Sequence, residues 1–228
     1  MINSIGRKTG TALIAATLGL SATPTALAQD YQSGFLRDYS SLQQTTDASG
    51  KPIRAWASPK LTPANFNAIM IDPLVFYPEP KPSERVSAAA LQQILKYAND
   101  TLRQSLGKRF KVVDQPGKGV LRLRAAFTSV AAKAEGLKPY QMIPLAFLAT
   151  MAKRAASGDP QNVFIVVEVE GTDSATGELM AERIRVGTGE KMPQIGEKDP
   201  ITLAVVKPLL DDLAAGALPD LEKYVKAK

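Results

Sequence analysis

Two segments of alternating apolar residues in the C-terminal half constrain the fold more strongly than any other part of the sequence. Apolar residues such as Ile165, Val167 and Val169 occupy every second position of the first segment, and residues 179–186 alternate in the same way. A period of two is typical of a β-strand with one apolar face. The residues between the segments, TDSATGE, favour a turn. Residues 162–187 are therefore predicted to form a β-hairpin.

Four charged residues lie on this hairpin, Glu168 and Glu170 on the first strand and Arg183 and Arg185 on the second. Opposite charges that face each other across a strand pair stabilise it by about 0.2–1 kcal/mol. We expect the acids to pair with the arginines on a solvated face of the sheet, because exposed ion pairs of this kind are common and need no functional explanation.

The absence of cysteine and histidine restricts the chemistry of the chain. There is no thiol nucleophile, no disulfide framework, no serine–histidine triad and no ordinary zinc or haem site, and we expect no cofactor. Acid–base catalysis would depend on the adjacent carboxylates, Glu168 with Glu170 or Asp211 with Asp212, held in a cleft. The formal net charge of +6 is dispersed along the chain, so no nucleic-acid partner is expected.

The first 28 residues resemble a cleavable signal peptide. Arg7 and Lys8 precede an apolar stretch at 11–20 that is too short to span a bilayer, and a small-x-small motif follows at 26–28. We expect cleavage between Ala28 and Gln29, export to the periplasm and no transmembrane span in the mature chain. A peripheral association with the outer membrane is left open.

The mature chain is interpreted as an N-terminal irregular arm, residues 29–66, packed on a single α+β domain, residues 67–228. Strands are predicted at 67–77, interrupted at Pro73, at 110–114 and at 120–130. A helix is predicted from the N-cap Ser87 to a terminating Gly107, and a second helix from Asp199 to Gly216. With the hairpin and a weaker helix at 138–157, the order is β-α-β-β-(α)-β-β-α. This order predicts a mostly antiparallel sheet with two main helices on one face.

Two apolar segments are candidate contact surfaces for a partner. The first is residues 34–42 of the arm, and the second is residues 142–151, which form either a core helix or a contact segment. The candidate residues are Phe35, Leu36, Tyr39, Met142, Phe147 and Met151.

Short pieces along the mature chain resemble a family of uncharacterised bacterial envelope proteins, usually lipoproteins that carry a domain of unknown function. The pieces are SGFL at 33–36, YS at 39–40 with Leu42, IMIDP at 69–73, VVD at 112–114, PG at 116–117, GVLRLRAA at 119–126, DS at 173–174 and TGE at 176–178. The resemblance implies a periplasmic or outer-membrane-associated protein of a Gram-negative cell, without assigned catalytic residues. This chain departs from the family because no lipobox cysteine follows its signal, which favours a soluble periplasmic form.

The leading hypothesis is a non-catalytic exported envelope protein that binds or scaffolds an unknown envelope protein, lipid or glycan. One alternative is a carboxylate-dependent hydrolase of glycan or peptidoglycan, which requires a cleft with two unlike carboxylates. The other is a periplasmic carrier of a lipid or small molecule, which requires an apolar cavity, expected beneath residues 142–151. The oligomeric state is left open.

Overall fold

One mixed β-sheet organises the residues that the computed structural model describes, which are 32–131, 164–188 and 199–228. The strands are β1 (Gln43–Thr46), β2 (Pro52–Ala57), β3 (Ala68–Ile71), β4 (Val75–Phe76), β5 (Val112–Val113), β6 (Val120–Ala131), β7 (Phe164–Asp173) and β8 (Leu179–Thr188). They lie in the order β1-β2-β8-β7-β6-β3-β5, and β4 also pairs with β6. The helices of the described residues are α1 (Ala88–Arg109) and α2 (Leu203–Leu221).

The pairing confirms the predicted fold class. The ladders from β1 through β2, β8 and β7 to β6 are antiparallel, whereas β3 and β4 run parallel to β6 and β3 runs parallel to β5. The predicted hairpin is β7 and β8, and Gly177 takes the positive φ of 73° that its turn requires. The described residues thus form an α+β fold, a mostly antiparallel sheet with the two helices α1 and α2.

Three predictions concern residues that the structure does not describe. The signal peptide with its cleavage site, Ala28 and Gln29, lies outside the described residues. So does the segment 142–151 with Met142, Phe147 and Met151, and so does the weaker helix at 138–157. These remain predictions.

The interpretation of residues 29–66 as irregular is wrong for two segments. β1 and β2 form an antiparallel pair, and β2 also pairs with β8 in the main sheet. All four β1 residues, QQTT, are exposed, so they lack the apolar alternation from which a strand is predicted. Strand formation here follows from the backbone ladder with β2 rather than from side-chain pattern.

The strand predicted at 67–77 is confirmed with its interruption. β3 and β4 lie along the same neighbour, β6, and are separated by three residues with Pro73 in the middle. Proline has no N–H to donate to a ladder, so the strand leaves the sheet at this point. Asn99 of α1 then holds the backbone of Leu74 by accepting from its N–H at 2.8 Å and donating to its carbonyl at 3.0 Å.

Both helices end later than predicted, and α1 begins at the predicted cap. Ser87 caps α1, since its hydroxyl accepts from the N–H of Ala90 at 3.1 Å. Helix α1 continues past Gly107 to Arg109 and ends where Phe110, with 0% exposure, enters the core. The end of α1 is therefore set by the burial of Phe110. It is not set by the conformational freedom of Gly107.

Helix α2 begins at Leu203 rather than at the predicted Asp199, with Thr202 as its N-cap. The N–H of Ile201 donates to the carbonyl of Arg85 at 2.7 Å, which ties the preceding residues to the loop before α1. The helix runs through Pro208 and Gly216 to Leu221. Its packing against α1 and the sheet overrides these local helix-breaking signals.

The apolar core lies on both faces of the sheet. On one face, α1 and α2 pack on strand residues in two clusters, one around Ile94, Phe127 and Leu209 and the other around Leu106 and Leu121. On the opposite face, residues of the N-terminal arm pack on β6, β7 and β8. The sheet is therefore covered by helices on one side and by the arm on the other.

Candidate functional site

A one-residue bulge in β8 decides which charged side chains share a face of the hairpin. Thr172 pairs with Leu179, but Gly171 pairs with Ala181, so Met180 is an extra residue on β8. Had the first register continued, Glu168 would lie opposite Arg183. Because of the bulge, Glu168 instead lies opposite Ile184. The predicted pairing of acids with arginines across the hairpin is therefore wrong.

The acidic face is buried rather than solvated. Glu170 lies opposite Glu182, and Glu168 follows on the same face of β7. Their exposed fractions are 3%, 0% and 0%. The expectation of a solvated face fails because the arm crosses these strands and excludes water, and this could not be read from the hairpin's own sequence.

Each buried carboxylate is held by the arm or by β6. The carboxylate of Glu170 lies 3.1 Å from Nε of Arg37 and 3.3 Å from Nη2 of Arg124. Glu182 Oε1 accepts from the N–H of Asp38 at 2.9 Å. Burial raises the pKa of Glu182 above its ordinary value of 4.5; the N–H groups of residues 38 and 37 oppose this rise, and the negative charge of Glu170 adds to it.

Tyr39 organises the arm around a single oxygen atom. Its hydroxyl accepts from the N–H groups of Gly34, Phe35 and Leu36 at 3.0, 3.1 and 3.2 Å. The same hydroxyl donates to Oε2 of Glu168 at 2.6 Å. Burial raises the pKa of Tyr39 above its ordinary value, and the hydrogen bond to Glu168 raises it further. This contact fastens the arm to the sheet.

The arm residues proposed as a contact surface are core residues. Phe35, Leu36 and Tyr39 are 5%, 5% and 8% exposed. They pack in one cluster with Val166 and Ile184 of the hairpin. Their side chains are therefore already covered in this conformation, which corrects the hypothesis that they form a surface for a partner. Their apolar character reflects packing on the sheet.

The second predicted carboxylate pair is divided between two partners. Asp211 accepts from the Tyr97 hydroxyl at 2.5 Å and from Lys207 at 2.8 Å. Asp212 accepts from Lys51 at 2.6 Å. Each acid is engaged with its own cation, so the pair does not form the spaced acid and base that hydrolysis requires.

The helix-facing side of β8 carries an ion cluster that links three parts of the chain. Arg183 contacts Asp220 of α2 at 2.5 Å, and Arg185 contacts Asp212 of α2 at 3.1 Å. Both arginines also face Oδ2 of Asp47, in the β1–β2 turn, at 3.6 and 3.5 Å. The arginines predicted to be solvated thus fasten α2 and the first hairpin to the sheet.

An apolar cavity of about 170 Å³ lies between the sheet and the two helices. Its lining includes Ala98 and Leu102 of α1, Leu210 and Ala214 of α2, and Ala125 and Val167 of the sheet. These apolar walls provide no hydrogen-bond partners for water, so the arrangement suits an apolar occupant.

One part of the cavity wall is charged. Arg183, Arg185 and Asp220 are its charged lining residues. Nη2 of Arg183 and Nε of Arg185 are buried without a hydrogen-bond partner, as is Oδ2 of Asp47. Burial lowers the pKa of Arg185 below its ordinary value, although the negative charge of Asp47 opposes this effect. The described lining of the cavity thus combines apolar side chains with two arginines that are ion-paired to Asp47, Asp212 and Asp220.

The carrier hypothesis required an apolar cavity and placed it beneath residues 142–151, which lie outside the described residues. Sequence reasoning did not predict the cavity between the sheet and the helices, nor the ion cluster at its wall. Asp47 and Asp220 lie in a turn and near a helix end, where carboxylates are ordinary and carry no signal. Two glycines do carry a weak sequence signal of the packing between α2 and β8. Gly187 faces Leu209 of α2, and Gly216 of α2 faces the guanidinium of Arg185. A glycine inside a strand or helix pattern indicates close approach of another element.

No helix in the ranges 32–131, 164–188 and 199–228 is long and apolar enough to cross a membrane. The same ranges contain no group of three or more acidic, cysteine or histidine residues arranged to hold a metal ion.

Comparison with known proteins places the chain among relatives of unknown function. It is 32% identical over 215 residues to the uncharacterized lipoprotein YdcL of Escherichia coli (strain K12), covering 92% of this chain and 96% of that protein. The YdcL protein of Escherichia coli O157:H7 matches to the same extent.

Two solved structures match the chain with low similarity. A PelC dodecamer from Paraburkholderia phytofirmans matches with a TM-score of 0.34 and 12% identity, over 72% of this chain and 96% of that one. The hypothetical protein CT253 from Chlamydia trachomatis matches with a TM-score of 0.37 and 8% identity, over 68% and 98%. Neither likeness is close enough to bear on the site.

The family model that matches the sequence covers residues 31–217 and is described as a protein of unknown function, DUF3313. This range includes every described strand, α1 and most of α2. The chain therefore belongs to the DUF3313 family, as the resemblance in its short motifs predicted.

Proposed function

We propose that this protein is a non-catalytic envelope protein that binds a small apolar molecule, or the end of an acyl chain, in the cavity between its sheet and its helices. The observation that carries the proposal is the cavity itself, about 170 Å³ of space with a mainly apolar lining. An engineered apolar cavity of about 150 Å³ stays dry and binds benzene. The present cavity is therefore of a size to hold roughly six carbon atoms.

An envelope location is supported by two independent features. The first 28 residues have the charge, apolar stretch and small-residue motif of a signal peptide. The relative from Escherichia coli, which matches along almost its whole length, is named as a lipoprotein. A periplasmic protein with an apolar cavity can carry an apolar molecule through an aqueous compartment, because burial removes the apolar surface of the molecule from water.

The geometry supports binding better than hydrolysis. The carboxylates of the hairpin lie under the arm with 3% exposure or less, so a polymeric substrate has no path to them in this conformation. The acids at 211 and 212 are each engaged by a different lysine. A glycosidase needs two carboxyl groups facing the same bond from opposite sides.

The proposal is tested by filling the cavity. Ala214 lines it on α2 and is 7% exposed, so Ala214→Leu places extra methyl groups in the space without adding a polar atom. Ala215, the next residue of the same helix, is exposed, and Ala215→Leu is the matched control. Binding of 1-hexanol, whose chain has six carbon atoms, to the three proteins would be measured by calorimetry and by the ligand-induced rise in Tm.

We expect 1-hexanol to bind the wild-type protein and Ala215→Leu equally, and to bind Ala214→Leu at least tenfold more weakly, because the leucine occupies the same volume as the ligand. If none of the three proteins binds 1-hexanol, or if Ala214→Leu binds as well as Ala215→Leu, the proposal is wrong.

A further inference from the structure

Two segments that are far apart in the sequence carry the excess positive charge of the chain. Residues 103–118 and 222–228 contain eight cationic side chains against two carboxylates, Asp114 and Glu222. Their net charge of +6 equals the formal net charge of the whole chain, so acidic and basic residues balance in the rest of the sequence. The cationic residues, all of them exposed, are Arg103, Lys108, Arg109, Lys111, Lys118, Lys223, Lys226 and Lys228.

The fold brings these two segments together at the end of α1. The N–H of Lys228 donates to the carbonyl of Arg109 at 2.8 Å, and Nζ of Lys228 donates to the carbonyl of Gly107 at 2.6 Å. Arg109 also forms an ion pair with Glu222. The expectation that the positive charge is dispersed is therefore wrong in three dimensions, because the last residues of the chain lie against α1.

The same C-terminal residues lie near the turn that carries Lys118. The N–H of Lys226 donates to the carbonyl of Phe66 at 2.9 Å. The N–H of the next residue, Asn67, donates to the carbonyl of Gly119 at 2.9 Å. Since Lys118 directly precedes Gly119, the turn before β6 adds its cation to the same end of the molecule. Together, the eight cationic residues form what we call the basic surface.

Few carboxylates oppose the charge of this surface. Asp114 is paired with Arg103 at 2.5 Å. The neighbouring hairpin turn adds Asp173 and Glu178, but Glu178 is paired with Lys60 at 2.7 Å. Surface ion pairs of this kind are weak and leave the excess positive charge of the region in place.

We propose that the basic surface docks on a lipid bilayer that contains anionic phospholipids. Its cations lie on long side chains that are exposed to water, and lysine presents a mobile point charge at the end of a flexible stem. Such a spread of charges suits an extended plane of phosphate groups better than a single bound anion. Each lysine or arginine near an anionic bilayer strengthens binding by about fivefold.

One end of the apolar cavity lies next to the basic surface. Its lining includes Leu106, near the end of α1, and Leu221 and Tyr224, which flank Lys223. Docking through the basic surface therefore directs this end of the cavity towards the bilayer, which is a source of acyl chains. The docking inference itself does not depend on what the cavity holds, because it rests on the distribution of charge.

The first test is binding of the mature protein to sedimented vesicles. We expect binding to phosphatidylcholine vesicles that contain about one third phosphatidylglycerol, and no binding to vesicles of phosphatidylcholine alone. Binding should be lost as the NaCl concentration rises from about 0.1 M to about 1 M, because salt screens exposed charges. Equal binding to both kinds of vesicle, or to neither, would overturn the inference.

A pair of triple variants locates the contact. Lys108→Gln, Lys111→Gln and Lys226→Gln remove three charges from the basic surface and should weaken vesicle binding about a hundredfold. The control variant loses the same charge through exposed lysines elsewhere, and we expect it to bind within about threefold of the wild-type protein. Its substitutions are Lys81→Gln, Lys96→Gln and Lys207→Gln. Urea denaturation checks that both variants are as stable as the wild type.

Two further outcomes would overturn the inference. If both triple variants lose vesicle binding equally, the net charge of the protein attracts the bilayer and the basic surface does not dock on it. If the wild-type protein binds heparin, a soluble polyanion, but not the anionic vesicles, the basic surface recognises a charged polymer instead of a membrane.

Discussion

At the scale of single residues, Tyr39 is the main link between the arm and the sheet. Its hydroxyl accepts from three consecutive backbone N–H groups and donates to the buried carboxylate of Glu168. Without it, the N–H groups of Gly34 and Leu36 and the carboxylate of Glu168 lose this partner, whereas the N–H of Phe35 keeps its hydrogen bond to the Ser33 hydroxyl at 3.0 Å. An unpaired buried polar group costs about 1–3 kcal/mol.

We therefore predict that Tyr39→Phe lowers the free energy of unfolding by about 2–4 kcal/mol. Urea denaturation of the mature protein measures this change. Tyr77→Phe is the control, because the Tyr77 side chain is 39% exposed and its loss of a hydroxyl should change stability by less than about 0.5 kcal/mol. Equal effects of the two substitutions would show that the Tyr39 hydroxyl does not anchor the arm.

Glu182, which lies between the arm and the sheet, makes the free energy of unfolding depend on pH. Its pKa is raised in the folded state, mainly by burial, so the folded protein holds this proton more tightly than the unfolded chain does. The resulting stabilisation is full below the ordinary pKa of 4.5 and is lost as the pH rises through the folded-state pKa. Glutamine at this position cannot titrate.

We predict that the stability of the wild-type protein relative to Glu182→Gln decreases as the pH rises above 4.5 and through the raised folded-state pKa of Glu182. The measurement is a set of urea denaturation curves at several pH values. Glu178→Gln, at an exposed position of the hairpin turn, is the control and should parallel the wild-type curve. A pH-independent difference between wild type and Glu182→Gln would contradict the argument.

At the scale of elements, two glycines inside helices have opposite roles. A Cβ at Gly107 of α1 would meet no atom within 4 Å, whereas a Cβ at Gly216 of α2 would collide with the guanidinium of Arg185. Glycine in a helix interior costs about 1 kcal/mol relative to alanine. Only at Gly216 is this cost offset. The missing side chain there allows α2 to lie directly on Arg185, which ion-pairs with Asp212 and so links α2 to β8.

We predict that Gly107→Ala raises the free energy of unfolding by about 0.5–1 kcal/mol. Gly216→Ala should lower it by about 1–3 kcal/mol, since the added methyl group displaces a buried arginine from its ion pairs. Thermal and urea denaturation of both variants provide the comparison. A stabilising effect at both positions would mean that α2 does not approach Arg185 as closely as described.

At the scale of the whole molecule, the arm is part of the fold rather than an addition to it. The sheet cluster around Val166 and Ile184 is covered by Phe35, Leu36 and Leu42 of the arm. β2 also occupies the edge of β8. A chain without residues 29–66 would expose an apolar face, three carboxylates and the open edge of a long strand.

We predict that a fragment of residues 67–228, the domain suggested by the sequence, does not form a stable native structure, whereas residues 29–228 do. Near-ultraviolet circular dichroism and the cooperativity of urea denaturation distinguish the two cases. A cooperative transition in the fragment, with the stability of the longer chain, would show that the arm contributes little to the core.

The sequence by itself determined the fold class and most of the described secondary structure elements, but not β1 and β2. The hairpin strands follow from the alternation of apolar side chains. The interruption at Pro73 follows from its missing N–H group, and the start of α1 follows from the capping hydroxyl of Ser87. All three effects act between near neighbours in the chain. The end of α1 did not follow, because the burial of Phe110 decides it through tertiary contacts. The end of α2 did not follow either, because the helix runs past Gly216 to Leu221.

Only the tertiary structure decided the site. One extra residue at Met180 reverses which side chains share a face with Glu168, and such a shift leaves no trace in the alternation itself. The burial of the carboxylates depends on the arm, and the cavity depends on how α1 and α2 rest on the sheet. The ion cluster joins residues that are far apart in the sequence, Asp47, Arg185 and Asp212. The sequence did not predict their contacts, because these depend on how the segments pack in three dimensions.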